Sequence, residues 1–154
     1  MKYIFALLLV FSFNLSFGQM TLNELMRVYN MNFDQFETFA ISKGYEIYKI
    51  YNDKENSVSY TKGYGKDTKY LALFGVSYNS FNKGINVSYQ TGNPTEYLKI
   101  KNEMKNLGFK LFDSYFSLDS QVKEYRNNKF QLIIYTIPPK DNNSVHYEIN
   151  LQKY

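Results

Sequence analysis

The chain has 154 residues, with 18 Lys and Arg against 14 Asp and Glu, a formal net charge of +4, 16 Tyr, 13 Phe, and neither cysteine nor tryptophan. Without cysteine there are no disulfides, thiolate metal centres or thiol catalysis. The basic balance rests on lysines interleaved with acids and on Arg27 and Arg126 as the arginines, which is not the footprint of a phosphate-tracking surface, so nucleic acid is not an expected partner.

Lys2, the apolar run Ile4 to Phe13 broken only by Ser12, and the small residues Ser16 and Gly18 have the pattern of a secretory signal peptide over residues 1–18. The run is too short for a membrane anchor, which needs about 20 apolar residues. The expectation is a mature chain that begins at Gln19, has no transmembrane segment after processing, and works in the periplasm or outside the cell. Removing residues 1–18 takes away Lys2 and lowers the net charge from +4 to +3.

Helix starts and stops are marked clearly. Thr21 and Glu24 form a capping box, opening a helix with Leu22, Leu25, Met26 and Tyr29 on one side. Asn32 and Gln35 repeat the device, and Phe33, Phe36, Phe39 and Ala40 form the expected buried stripe of a second helix, which Gly44 stops. The period then changes to two, predicting strands over 45–51, 57–62, 69–78 and 84–90. Asn93, Pro94 and Glu96 combine cap residue, first-turn proline and box glutamate. They open a third helix with Tyr97, Ile100, Met104 and Leu107 facing one way up to Gly108. Strands follow over 109–116, 121–126, 129–137 and 144–152, separated by turn residues such as Leu118-Asp119 and Asn127-Asn128.

An offset of 64 residues aligns Phe33, Phe36, Ala40, Gly44, Tyr45 and Tyr51 with Tyr97, Ile100, Met104, Gly108, Phe109 and Tyr115. The expectation is a duplicated helix-β4 unit: residues 19–92 form the first repeat, residues 93–154 the second, and both share one globular domain. The fold class is α+β, an antiparallel sheet with helices packed on one face. In the last strand Val145, Tyr147, Ile149 and Leu151 alternate with His146, Glu148, Asn150 and Gln152, a buried-against-wet pattern. Strand 129–137 is apolar on both faces, so strand curvature, a second copy of the chain or a ligand should cover its outer face.

This element order, with its Gly44-Tyr45 and Gly108-Phe109 junctions over about residues 21–152, resembles the secreted bacterial β-lactamase-inhibitor protein family. That resemblance implies a curved sheet whose aromatic-rich concave face holds a target protein. The chain lacks the cysteines that the family uses.

Tyr48, Tyr60, Phe112, Tyr125 and Tyr135 are the candidate binding residues, assigned to the sheet face away from the helices, where an aromatic body with a polar tip suits protein or sugar contact. Strand propensity and A/T-rich codons explain an aromatic excess equally well. His146, the sole histidine, has Glu148 beside it, yet reads as a solvated strand residue among polar neighbours. The acid pairs Asp53 with Glu55 and Asp113 with Asp119 flank turns, where carboxylates are ordinarily solvated. Gly63 to Lys66 is too short for a phosphate loop, and no Gly-x-Ser-x-Gly elbow or calcium-loop spacing occurs. No catalytic residue, metal site or cofactor is expected. The favoured reading is an exported non-enzymatic binding module, an inhibitor or an envelope-partner protein, with homo-oligomerisation compatible with it. The alternative is a secreted hydrolase acting on peptidoglycan or polysaccharide.

Overall fold

The computed structural model describes residues 20–51, 57–62, 72–79, 84–139 and 145–153. The expected signal peptide, Asp53, Glu55 and the segment Gly63 to Lys66 lie outside the described residues. Among these residues three helices, α1 (Leu22–Val28), α2 (Phe33–Ser42) and α3 (Pro94–Asn106), accompany eight strands: β1 (Glu46–Tyr51), β2 (Ser57–Lys62), β3 (Ala72–Asn79), β4 (Gly84–Thr91), β5 (Lys110–Ser117), β6 (Ser120–Arg126), β7 (Phe130–Ile137) and β8 (His146–Lys153). No helix among the described residues is long and apolar enough to cross a membrane.

The first two helix starts are the expected capping boxes. Thr21 Oγ1 accepts from Glu24 N–H at 3.2 Å while the Glu24 carboxylate accepts from Thr21 N–H at 2.9 Å. Asn32 and Gln35 reciprocate at 2.9 and 3.1 Å. Glu24 also pairs with Lys43, at the end of α2. Burial alone would raise its pKa, but Lys43 and the Thr21 amide outweigh burial and hold the carboxyl below its usual range. Leu22 N–H, free at the start of α1, donates to Glu103 of α3 at 2.7 Å, which ties the two helices together.

Both helices that precede a meander end alike. Gly44 and Gly108 have φ of +79° and +72°. Gly44 N–H donates to Ile41 O at 2.8 Å and Tyr45 N–H to Ala40 O at 3.0 Å, while Gly108 N–H donates to Lys105 O at 3.3 Å and Phe109 N–H to Met104 O at 3.0 Å. These are two Schellman motifs, each with an apolar residue after the glycine turned back into the core. An added Cβ at Gly108 would meet nothing within 4 Å, so the only obstacle to substitution is the left-handed backbone. Gly108→Val should therefore destabilise by about 1–2 kcal/mol, with Gly108→Asn milder, as read from denaturant midpoints. An unchanged valine midpoint would contradict the left-handed stop.

The eight strands form one antiparallel sheet in the order β1-β2-β3-β4-β8-β7-β6-β5. Two meanders thus meet at their last strands, β4 and β8, and leave their first strands, β1 and β5, at the edges. Both edge strands carry a register shift near the start, between Ile47 and Lys49 in β1 and between Leu111 and Asp113 in β5.

Side chains of the central strands facing the helices are apolar and dry: Val87, Tyr89, Leu132, Ile134, Ile149 and Leu151 lie against Leu22, Leu25, Phe36, Ala40, Ile100 and Met104. Aromatic edges lock the layers, with Phe36 on Tyr60 at 5.3 Å, Tyr29 on Phe130 at 5.4 Å, and Tyr97 stacked on Tyr147 at 3.9 Å. One expected core residue differs: Phe33 is 44% exposed, because α2 turns Phe36 and Ala40 inward and leaves Phe33 at the rim.

Candidate functional site

The helix-free face follows from the sheet register. Directly paired residues share a face, and Leu132 pairs with Leu151 and Ile134 with Ile149, all four in the core. Gln131, Ile133, Tyr135 and Ile137 must therefore point the other way, together with their partners Gln152, Asn150, Glu148 and His146.

This register corrects the aromatic set. Tyr60 is 2% exposed and packs edge-on against Phe36, so it faces the helices. Tyr125 pairs with Leu132 and packs on the same core. Both tyrosines therefore lie on the buried side of the sheet, not on the face away from the helices. Tyr135 is on the expected face, paired with Val122 and Glu148. Phe112 is there too, its ring under the Arg126 guanidinium at 3.4 Å. The side chain of Tyr48 lies outside the described residues. Tyr115, which is not among the candidate binding residues, pairs with Val122 and so stands beside Tyr135, with Val122 fully buried between them.

Around these aromatics the face carries a hydrogen-bonded lattice. Gln152 Nε2 donates to Gln131 Oε1 at 3.0 Å, Gln131 Nε2 to Glu124 Oε2 at 2.8 Å, and Tyr115 Oη to Glu124 Oε1 at 3.1 Å, with Arg126 at 3.8 Å from the same carboxylate. One chain of contacts thus crosses β8, β7, β6 and β5. A second joins Gln90 and Asn150 to the two oxygens of Glu148 at 3.1 and 2.8 Å. Amides hold both oxygens of Glu148, so it is not poised as an orienting acid for His146. Asp113 stands opposite Glu124 in the β5–β6 pair instead of acting with Asp119, and accepts from Ser114 N–H at 2.7 Å. No group of three or more His, Cys, Asp or Glu side chains among the described residues is placed to hold a metal ion.

No protein-family model, curated protein or solved structure matches the chain.

The lattice ends at β5, all eight residues of which are exposed. Leu111 and Phe112 are 57% and 59% exposed, Tyr115 and Phe116 40% and 77%, and Leu118 in the following turn 99%. Leu118 also has φ +52°, a left-handed conformation that a bulky residue rarely adopts. Ser117 pairs with Ser120 across this two-residue turn.

Two other places carry polar groups. Near the start of α3, Glu96 was expected to close a capping box, but its carboxylate turns into the core and accepts from Tyr89 Oη at 2.6 Å and Thr91 Oγ1 at 2.7 Å. The Asn93 amide donates to Thr91 Oγ1 at 3.0 Å in its place, and the Asn93 side chain caps Thr95 N–H at 3.0 Å. The Tyr45 hydroxyl hydrogen-bonds to that of Tyr89; burial above all pushes both phenols well above their usual range and keeps them protonated. These side chains are almost wholly enclosed, so the cluster is a structural joint between the end of α2, β4 and α3. On the helix layer, a groove of about 630 Å³ runs between α1 and α2. Its Asn30, Gln35, Thr38 and Ser42 side chains each hydrogen-bond within or beside their own helix, and converge on no common point.

Proposed function

We propose that the protein is a non-enzymatic binding module that holds a macromolecular partner on the helix-free sheet face around Tyr135, and that residues 1–18 direct its export. The observation that carries this is the pair of hydrogen-bonded groups, Glu124 with Gln131 and Gln152, and Glu148 with Gln90 and Asn150, that flank Tyr135, with exposed Tyr115 bonded to Glu124 at the rim. Polar side chains held in place by one another present fixed donors and acceptors at low ordering cost. Tyr135, half-buried among them, and exposed Tyr115 are of the residue type that supplies contact energy at protein interfaces. The two matching Schellman stops and edge-strand register shifts, each 64 residues apart, support reading the chain as a duplicated helix-β4 unit. The likeness of its element order to the β-lactamase-inhibitor protein family supports a protein as the partner.

Photo-crosslinking tests the assignment. A benzophenone side chain at position 135 should give one discrete adduct in producing cells, while the same probe at Ile41, which is 56% exposed on α2, should give none. No adduct at 135, or the same adducts at both positions, would reject this face.

A further inference from the structure

We infer that β5 is a self-association edge, through which two copies of the chain join antiparallel into one continuous sheet. The site lies at the margin of the proposed binding face, and the inference does not depend on that reading.

β5 is exposed along its whole length. As the last strand of the sheet, it has one backbone edge with no strand partner among the described residues. Leu111 pairs with Tyr125 and Phe116 with Gln121, which places them on the helix side, while Phe112 and Tyr115 project from the opposite face. Apolar side chains therefore protrude on both faces of one exposed strand. A helix or a flat surface lying on either face would leave half of them wet. An added strand reaches both faces at once, because its own side chains alternate across the same sheet.

The edge is only partly protected. Natural edge strands are guarded by charges, especially lysines, by prolines, bulges or a covering element, whereas β5 has one lysine, Lys110, at its first position, the single acid Asp113, one irregularity near its start and no proline. Its irregularity lies between Leu111 and Asp113, which leaves Asp113 to Ser117 in regular register. Its own sequence supplies the strand that would fit, apolar on both sides. Charge agrees: on the β5–β6 hairpin Lys110, Lys123 and Arg126 balance Asp113, Asp119 and Glu124. Two copies can therefore approach here without local like-charge repulsion, although the chain as a whole is basic. Using one edge twice about a two-fold axis closes the assembly at two subunits.

Light scattering coupled to size exclusion, on the mature chain from low to high micromolar concentration, should give twice the chain mass at the upper end. Phe116→Lys and Tyr115→Lys should each return it to the monomer with an unchanged far-UV circular dichroism spectrum, whereas Ile41→Lys should leave the dimer intact. The chain has no cysteine of its own, so single variants Asp113→Cys, Ser114→Cys and Tyr115→Cys allow a direct reading. Oxidation should give a covalent dimer, most at the position nearest the axis. A wild-type monomer throughout would overturn the inference, as would a Phe116→Lys dimer or assemblies that grow without closing. So would a monomer that floats with lipid vesicles through Phe116 and Leu118. Tyr135→Ala separates the two readings, since it should abolish partner capture and leave the dimer.

Discussion

Glu96→Ala should lower the free energy of unfolding by about 3 kcal/mol or more, an unusually large loss for one polar residue at the start of a helix. The carboxylate takes two short hydroxyl hydrogen bonds, at 2.6 Å from Tyr89 and 2.7 Å from Thr91. Tyr89 and Thr91 are 0% and 1% exposed, so in the native fold Glu96 is an acceptor that bulk water does not supply. The Thr91 hydroxyl loses its acceptor, at about 1–3 kcal/mol, the Tyr89 hydroxyl loses its short bond and keeps the one to Tyr45, and an acidic group in the first turn adds a smaller helix-dipole contribution. Glu96→Gln keeps one carbonyl oxygen and should recover much of the loss. Urea midpoints of the two variants decide the matter. Equal midpoints would mean that burial of the side-chain stem, not acceptance of the two protons, is what Glu96 provides.

That joint also marks a limit of reading structure from the chain. Thr21 with Glu24, and Asn32 with Gln35, cap as their spacing predicts, because both ends of each interaction lie within four residues. Asn93 to Glu96 has the same spacing but a different outcome, since Thr91 and Tyr89 approach the carboxylate from β4 and compete for it. The positive φ at Gly44 and Gly108 was legible for the same local reason, as were the strands.

Faces were harder to read, because face depends on register, and a shift of one residue reverses every side chain that follows. In β6 no apolar alternation marks the buried side: Gln121, Lys123 and Tyr125 oppose Val122, Glu124 and Arg126. Tyr125 was assigned outward although its partner is Leu132. Tyr115 was missed because nothing local shows that it stands beside Tyr135 across Val122. Nor does strand order reveal itself: β5 is an edge because β4 pairs with β8, residues far apart in the chain.

Phe36→Ala should cost about 3–5 kcal/mol, while Phe33→Ala, one turn earlier in α2, should stay within about 0.5 kcal/mol. The helical spacing treats the two as members of one stripe. The fold does not: Phe36 is 1% exposed and meets the Tyr60 ring edge-on at 5.3 Å, whereas Phe33 is 44% exposed. Removing the Phe36 ring leaves a cavity between α2 and β2 that Tyr60, held by its own strand pairing, cannot collapse to fill. The ring contact itself should appear as a coupling of about 0.5–1.5 kcal/mol in a double-mutant cycle of Phe36→Leu and Tyr60→Leu. Equal losses for Phe33 and Phe36 would mean that α2 is rotated about its axis from the position described, and would withdraw Tyr60 from the buried side of the sheet as well.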